Sequence, residues 1–225
     1  MDLTVKRSGL ELCEKVFEYS MPVEQAAESV VPDTQPDVER ILFAAGTALL
    51  SAKEPREGAI SLAGSVEASV LYVPEGGEGV CTLAVSVRVS VELDAPGVTA
   101  ESLTAASLGA AAVDARALNP RKVLVRCTVN VCAEAYAASV LELGCGIGGE
   151  DAGAVETLTE QYTVTPVVSV CERTCVVSDE YRLQPGLLPI GRLLWHGVEL
   201  CGVGARAVGS RLVVSGTARL AAVYE

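Results

Sequence analysis

The sequence predicts a mainly β protein: an antiparallel β-sandwich-like domain with short helices, followed by a second, incomplete copy of the same unit. Three observations lead there. Apolar and polar residues alternate over long runs. Stretches rich in Gly, Asn and Pro separate those runs at hairpin spacing. A block of residues also recurs 152 positions on, where Val38 to Phe43 realigns without a gap on Ile190 to Trp195. The composition agrees, because 50% of residues are apolar but only 4% aromatic, with Val, Ala and Leu dominant. Such a chain of 225 residues can bury one large core or two modest ones.

The clearest strand is 81–93. Cys81, Leu83, Val85, Val87, Val89, Val91 and Leu93 share one face, and Thr82, Ser86, Arg88, Ser90 and Glu92 share the other. Residues 59–73 alternate in the same way, and the Gly-rich stretch 74–79 between the two runs reads as a hairpin loop. A strand is expected over 103–117, where alanines blur the period. Another is expected over 122–137, entered through the turn Asn119-Pro120-Arg121-Lys122.

Two places read as short helices. Thr34 and Asp37 offer an N-cap and an acidic residue three positions on, and Val38, Ile41, Leu42 and Ala45 follow i, i+3, i+4, i+7 spacing. Ile190, Leu193, Leu194 and Gly197 repeat that spacing after Pro189. The ten residues 144–153 hold five glycines and read as a flexible join. The expected organisation is thus a domain over 1–143, a linker over 144–153 and a partial second repeat over 154–225.

At the same offset Ile60, Leu62, Gly64, Val66 and Tyr72 fall on Leu212, Val214, Gly216, Ala218 and Tyr224. The strand expected over 80–93 has no counterpart after Glu225. A strand left without its neighbour exposes a ladder of NH and CO groups and invites another strand to dock. Leu212, Val214 and Tyr224 are therefore candidate partner contacts. Three ways of satisfying the edge stay open: cover by the first domain, a strand added by another subunit, or a longer polypeptide. Arg40 and Arg192, at equivalent places on the polar sides of the two expected helices, are either structural ion pairs, with Glu39 or Asp37 near Arg40, or further partner contacts.

Sites of chemistry are scarce. No nucleophile elbow, HExxH motif or phosphate loop is present, so no catalytic residue and no cofactor is assigned. The glycines between Gly202 and Gly209 have the wrong spacing for a dinucleotide fingerprint and read as a turn. His196, the only histidine, reads as a solvated residue at a helix end. With no CxxC pair among eight cysteines, no metal site is assigned. The cysteines are either small buried hydrophobes or thiols that later crosslink subunits, with Cys13, Cys145, Cys171 and Cys201 the candidates. Cys171 and Cys175 would share a strand face about 13 Å apart, too far for a bridge.

A formal charge of −12 disfavours nucleic acid and anionic lipid and favours solubility. The N-terminal segment lacks the apolar run of a signal peptide, and no stretch is long and apolar enough to span a bilayer, so synthesis in the cytoplasm without membrane insertion is expected.

The block from Val30 through Pro32-Asp33-Thr34-Gln35-Pro36-Asp37 to Leu42, followed by Gly64, Leu71-Tyr72 and Asn119-Pro120-Arg121-Lys122, resembles the SPOCS-domain family of endospore-forming Firmicutes. The segment Gln161 to Leu194 is similar to the linker and start of a second such domain. The resemblance implies a β-rich, non-enzymatic module made in the mother cell and placed in the spore envelope. Family members of this kind are associated with the ATPase of the coat basement layer and often carry a C-terminal LysM domain, which these 225 residues do not include. The expected function is that of a structural or adaptor protein acting in coat and cortex assembly through β-sheet contacts with spore-envelope proteins. The alternative is a subunit that assembles with copies of itself into a spore-surface filament or lattice. A small-ligand binder or enzyme is the least favoured reading.

Overall fold

Alternation of the kind seen at 81–93 extends through most of the chain, and the result among the described residues is eight antiparallel strands in three sheets. The computed structural model describes residues 4–150, 153, 155–158, 160–161, 163, 167, 176–183 and 185–225. The strands are β1 (Thr4–Val30), β2 (Val38–Arg56), β3 (Ala59–Pro74), β4 (Cys81–Asp94), β5 (Leu103–Asn119), β6 (Lys122–Gly148), β7 (Leu193–Val208) and β8 (Arg211–Tyr224). One sheet has the order β1-β6-β5 and a second has the order β2-β3-β4. These two stack face to face. The third sheet contains only β7 and β8.

The sandwich core follows from the pleat. Val66, Val70 and Tyr72 of β3 and Val85, Val87 and Val89 of β4 meet Val123, Val125, Cys127 and Val129 of β6 in one buried cluster. A second cluster joins Ile60, Leu62 and Leu93 to Val131, Ala133 and Ala135. Burying each of the valine, leucine and isoleucine side chains contributes about 1.5–3 kcal/mol, so the paired sheets carry the stability of this unit. The expected strands over 59–73, 81–93, 103–117 and 122–137 are all present, and so are the hairpin loop after Pro74 and the turn at Pro120-Arg121.

Neither short helix forms; both segments are strands. In β2 the core-facing residues are Val38, Ile41, Ala44, Ala48 and Leu50. Register shifts between Val38 and Arg40 and between Ile41 and Phe43 each insert a residue, so successive inward positions first lie three apart. Two β-bulges therefore imitate half of a helical repeat. The other half fails, because Leu42 is exposed. The chain before β2 is also committed elsewhere. The Gln35 and Pro36 carbonyls, which a helix would need, accept hydrogen bonds from Arg121 and from the Tyr72 hydroxyl.

The Gly-rich join begins later than expected. Gly144, Gly146 and Gly148 lie in β6 and pair with Arg7, Lys6 and Thr4 of β1. Glycine weakens a strand but does not forbid it, and β1 supplies the ladder here. Beyond β5, which reaches only Tyr136, this end of β1 and β6 projects as a two-stranded ribbon.

Candidate interaction surface

The two motif blocks at 32–37 and 119–122 come together at the crossing from β1 to β2. Arg121, on the β5–β6 turn, donates to Asp37 Oδ1 at 2.9 Å and to Asp33 Oδ1 at 2.8 Å. Its other bonds go to the carbonyls of Gln35 and Val31, both at 2.9 Å. The two carboxylates and the hydrogen bonds hold the guanidinium firmly in its charged form. Gln35 then reaches the Thr82 carbonyl, tying the loop to β4. This is a clamp between the two sheets, with its partners used up internally. The acidic pair flanked by prolines calls for a cation, and that signal was available in the sequence, but which arginine answers it depends on the fold.

The repeat is more exact in the backbone than in the side chains. Every residue pair of the β7–β8 hairpin, from Leu193↔Tyr224 to Val208↔Arg211, coincides at +152 with a pair of the β2–β3 hairpin, from Ile41↔Tyr72 to Arg56↔Ala59. The bulges recur as well: Ile41/Phe43 becomes Leu193/Trp195, and the bulge after Leu50 has its counterpart after Cys201. The glycine shared by both copies is explained by that second bulge. A Cβ on Gly64 would lie 2.3 Å from the Leu49 carbonyl oxygen, and one on Gly216 would lie 3.4 Å from the equivalent Cys201 oxygen. At Gly64 the bulged strand passes too close for a side chain, whereas at Gly216 a Cβ would be in tight contact with it. The glycines from 202 to 208 accordingly lie within β7, and only Gly209-Ser210 forms the turn.

What differs is cover. Ile60 is fully buried, whereas its counterpart Leu212 is 68% exposed; Leu62 is 1% exposed and Val214 is 62%. Ala68 and Leu220 stand at 3% and 59%. Among the described residues β7 and β8 pair only with each other, and no second sheet lies on their apolar face. The face is nevertheless patterned for packing. A Cβ on Gly46 would lie 2.8 Å from Val66 Cγ1, and the equivalent pair is Val198 and Ala218, large and small exchanged. A contiguous exposed apolar face on a two-stranded sheet is a candidate place of association.

One end of the hairpin is anchored on the sandwich. Phe43, Leu71 and Thr82 form a single register row across β2, β3 and β4. Trp195 meets Phe43 edge to face, with ring centroids 5.3 Å apart. Thr82 donates to the Leu194 carbonyl at 3.3 Å, and Arg192 donates to the Val80 carbonyl at 2.7 Å. Leu71, which faces away from the core, is buried between these contacts, and Leu194 is buried too.

Of Arg40 and Arg192, both expected on helices, Arg40 therefore lies in β2 opposite Val73, and Arg192 lies just before β7 with its backbone hydrogen-bonded to Glu225. Arg192 also pairs with the Glu225 carboxylate at 2.9 Å. Arg40 has neither Glu39 nor Asp37 as a partner, since Asp37 is taken by Arg121. Tyr224 ends β8 in the position where Tyr72 reaches back to Pro36. His196 is exposed, but on β7 and not at a helix end. Of the candidate crosslinking residues, Cys145 is exposed on the projecting ribbon, Cys13 and Cys201 are half-buried, and all three are free thiols. Cys171 and Cys175 lie outside the described residues. Cys127 is buried, and burial pushes its thiol pKa up. Among the described residues no group of three or more His, Cys, Asp or Glu side chains is placed to hold a metal. Among the described residues no helix is long and apolar enough to cross a membrane.

No family model matches the chain, and no curated protein or solved structure does either.

Proposed function

We propose that this protein is a non-enzymatic structural or adaptor component of the bacterial spore envelope, made in the mother cell and acting through β-sheet contacts with other envelope proteins. The observation that carries the contact mode is the β7–β8 hairpin, which repeats the register of a buried hairpin while its own apolar face stays open. The spore setting rests on the SPOCS-like motif residues from Val30 to Leu42 and Asn119 to Lys122. Affinity capture of the tagged full chain from sporulating cells is the test. Co-purification with coat or cortex proteins supports the reading, and equal abundance in vegetative cells contradicts it.

A second reading is self-assembly into a filament or lattice by strand complementation. It is favoured by the open edge together with the exposed Cys145 thiol, which can crosslink neighbours once the envelope becomes oxidising. Size-exclusion across micromolar concentrations decides it: a stable monomer rules it out. An assembly that resists denaturant until a thiol reductant is added supports the crosslinking part.

A further inference from the structure

The contact between the two hairpins joins equivalent residues. Phe43 and Trp195 are 152 positions apart, the repeat offset, and their rings meet edge to face. Such a contact is what a local two-fold relation between two like units produces. Under that relation each contact that unit two makes with unit one has a mirror. Arg192 donates to the carbonyl of Val80, which opens β4, and Leu194 accepts from Thr82 of the same strand. The mirror residues are Arg40 and Leu42. They are also two of the strict identities between the copies. Yet both are exposed, and Arg40 has no side-chain partner among the described residues.

We infer that the outer edge of β8 and the adjoining Arg40 and Leu42 form one docking site for an antiparallel β-strand of the β4 type. This deepens the proposed sheet-contact function and rests on it. The register of the incoming strand follows from the first unit. Cys81 of β4 stands opposite Tyr72 and Asp94 opposite Ala59. The docked strand therefore runs from Tyr224 to Arg211, and the carbonyl just before its first paired residue lies at Arg40, as the Val80 carbonyl lies at Arg192.

The chemistry of the occupant follows from the same template. Leu83, Val85, Val87 and Val89 supply one apolar face in β4. A partner strand needs β-branched or leucine residues at alternate positions to pair beside Leu212, Val214 and Leu220 on the same sheet face. Its far end is acidic in the template, with Glu92 and Asp94. That end would meet Arg211, where the first unit has only Ala59, so the second hairpin adds a charge complement that the first lacks.

A labelled peptide spanning Val80–Asp94 tests the site on the full chain. Fluorescence anisotropy is expected to show saturable binding that a scrambled peptide does not reproduce. Arg40→Gln, at an exposed position, is expected to weaken it about tenfold, the loss of one charge-assisted hydrogen bond. Register is read by disulfide trapping, because opposed residues in an antiparallel pair are close enough to bridge. Tyr224→Cys is expected to capture the peptide through its own cysteine, mapped by mass spectrometry, whereas Val223→Cys is not. No binding up to about 1 mM, trapping at another register, or an unchanged affinity in Arg40→Gln overturns the site. Self-association through β8 that excludes the peptide overturns it too. A chain that ignores the peptide yet is still captured with envelope proteins refutes the docking site alone. A chain absent from the envelope refutes the functional reading while peptide binding stands.

Discussion

The β2–β3 and β7–β8 hairpins share pairing register, bulge positions and a glycine opposite the second bulge, yet one is core and the other is surface. Local sequence is enough to specify the hairpin. It is not enough to bury it. In the first unit β4 completes the ladder on β3, and β6 covers the apolar face. In the second neither element is in place among the described residues, and the same alternation that makes a core in one copy makes an exposed apolar face in the other. An apolar face left open in this way is a candidate interaction surface.

Substitution at equivalent positions is the sharpest way to break the comparison. Leu62→Ala is expected to cost about 2–5 kcal/mol in denaturant unfolding, because it empties packed space. Val214→Ala, at the matched but exposed position, is expected to stay within about 0.5 kcal/mol. Equal costs would mean that the second hairpin is buried after all.

The clamp comes next in size. Arg121→Ala leaves Asp33 and Asp37 without their cation and frees the Gln35 and Val31 carbonyls. A loss of about 2 kcal/mol is expected in the same assay. A change near zero would show that the motif residues serve a partner rather than the crossing between sheets.

Thiol chemistry gives a smaller, local contrast. Native Cys145 is expected to react with iodoacetamide, while Cys127, buried and with its thiol pKa raised, is modified only after unfolding. Peptide mapping by mass spectrometry reads the difference, and early labelling of Cys127 would contradict the closed core.

The smallest effect concerns pH. Hydroxyls of Ser65 and Ser86 each donate to Glu67 at 2.7 Å and hold its carboxyl below the usual range. A carboxylate with a lowered folded-state pKa contributes stability that is present above its unfolded pKa. That contribution is lost as pH falls through the lower, folded value. Glu67→Gln is expected to flatten the acid side of a melting-temperature profile slightly. Position 219, the matched site on β8, carries an arginine.

Much of this was legible in the chain. Alternation over 59–73 and 81–93 reports a sandwich core directly, and the gapless offset of 152 reports the duplicated hairpin. Bulges explain most of what was not legible. Those in β2 produced a spacing of three that reads as a helix. The shift between Leu108 and Ala111 in β5 moves the inward set from Ala106 and Leu108 to Val113 and Ala115, which blurs the period there. The whole of β1 went unread, because a bulge before Phe17 changes its phase and its outer face carries the charges of a cross-strand ladder. Glu28 pairs with Lys122, Glu24 with Arg126 and Glu134 with Lys15. The exposed hairpin face was half visible. Leu212, Val214 and Tyr224 could be named from the repeat, whereas the Phe43–Trp195 contact could not, since pattern alone does not say how two copies sit against each other.

Hydrogen exchange on the intact chain tests the central claim most directly. Amides of β3 (Ala59–Pro74) are expected to be protected on both edges. Those of β8 (Arg211–Tyr224) should be slow only at the alternate positions that face β7, and fast along the outer edge. Uniform protection of β8 in a dilute monomer would contradict the account, because it would mean that the edge is already covered.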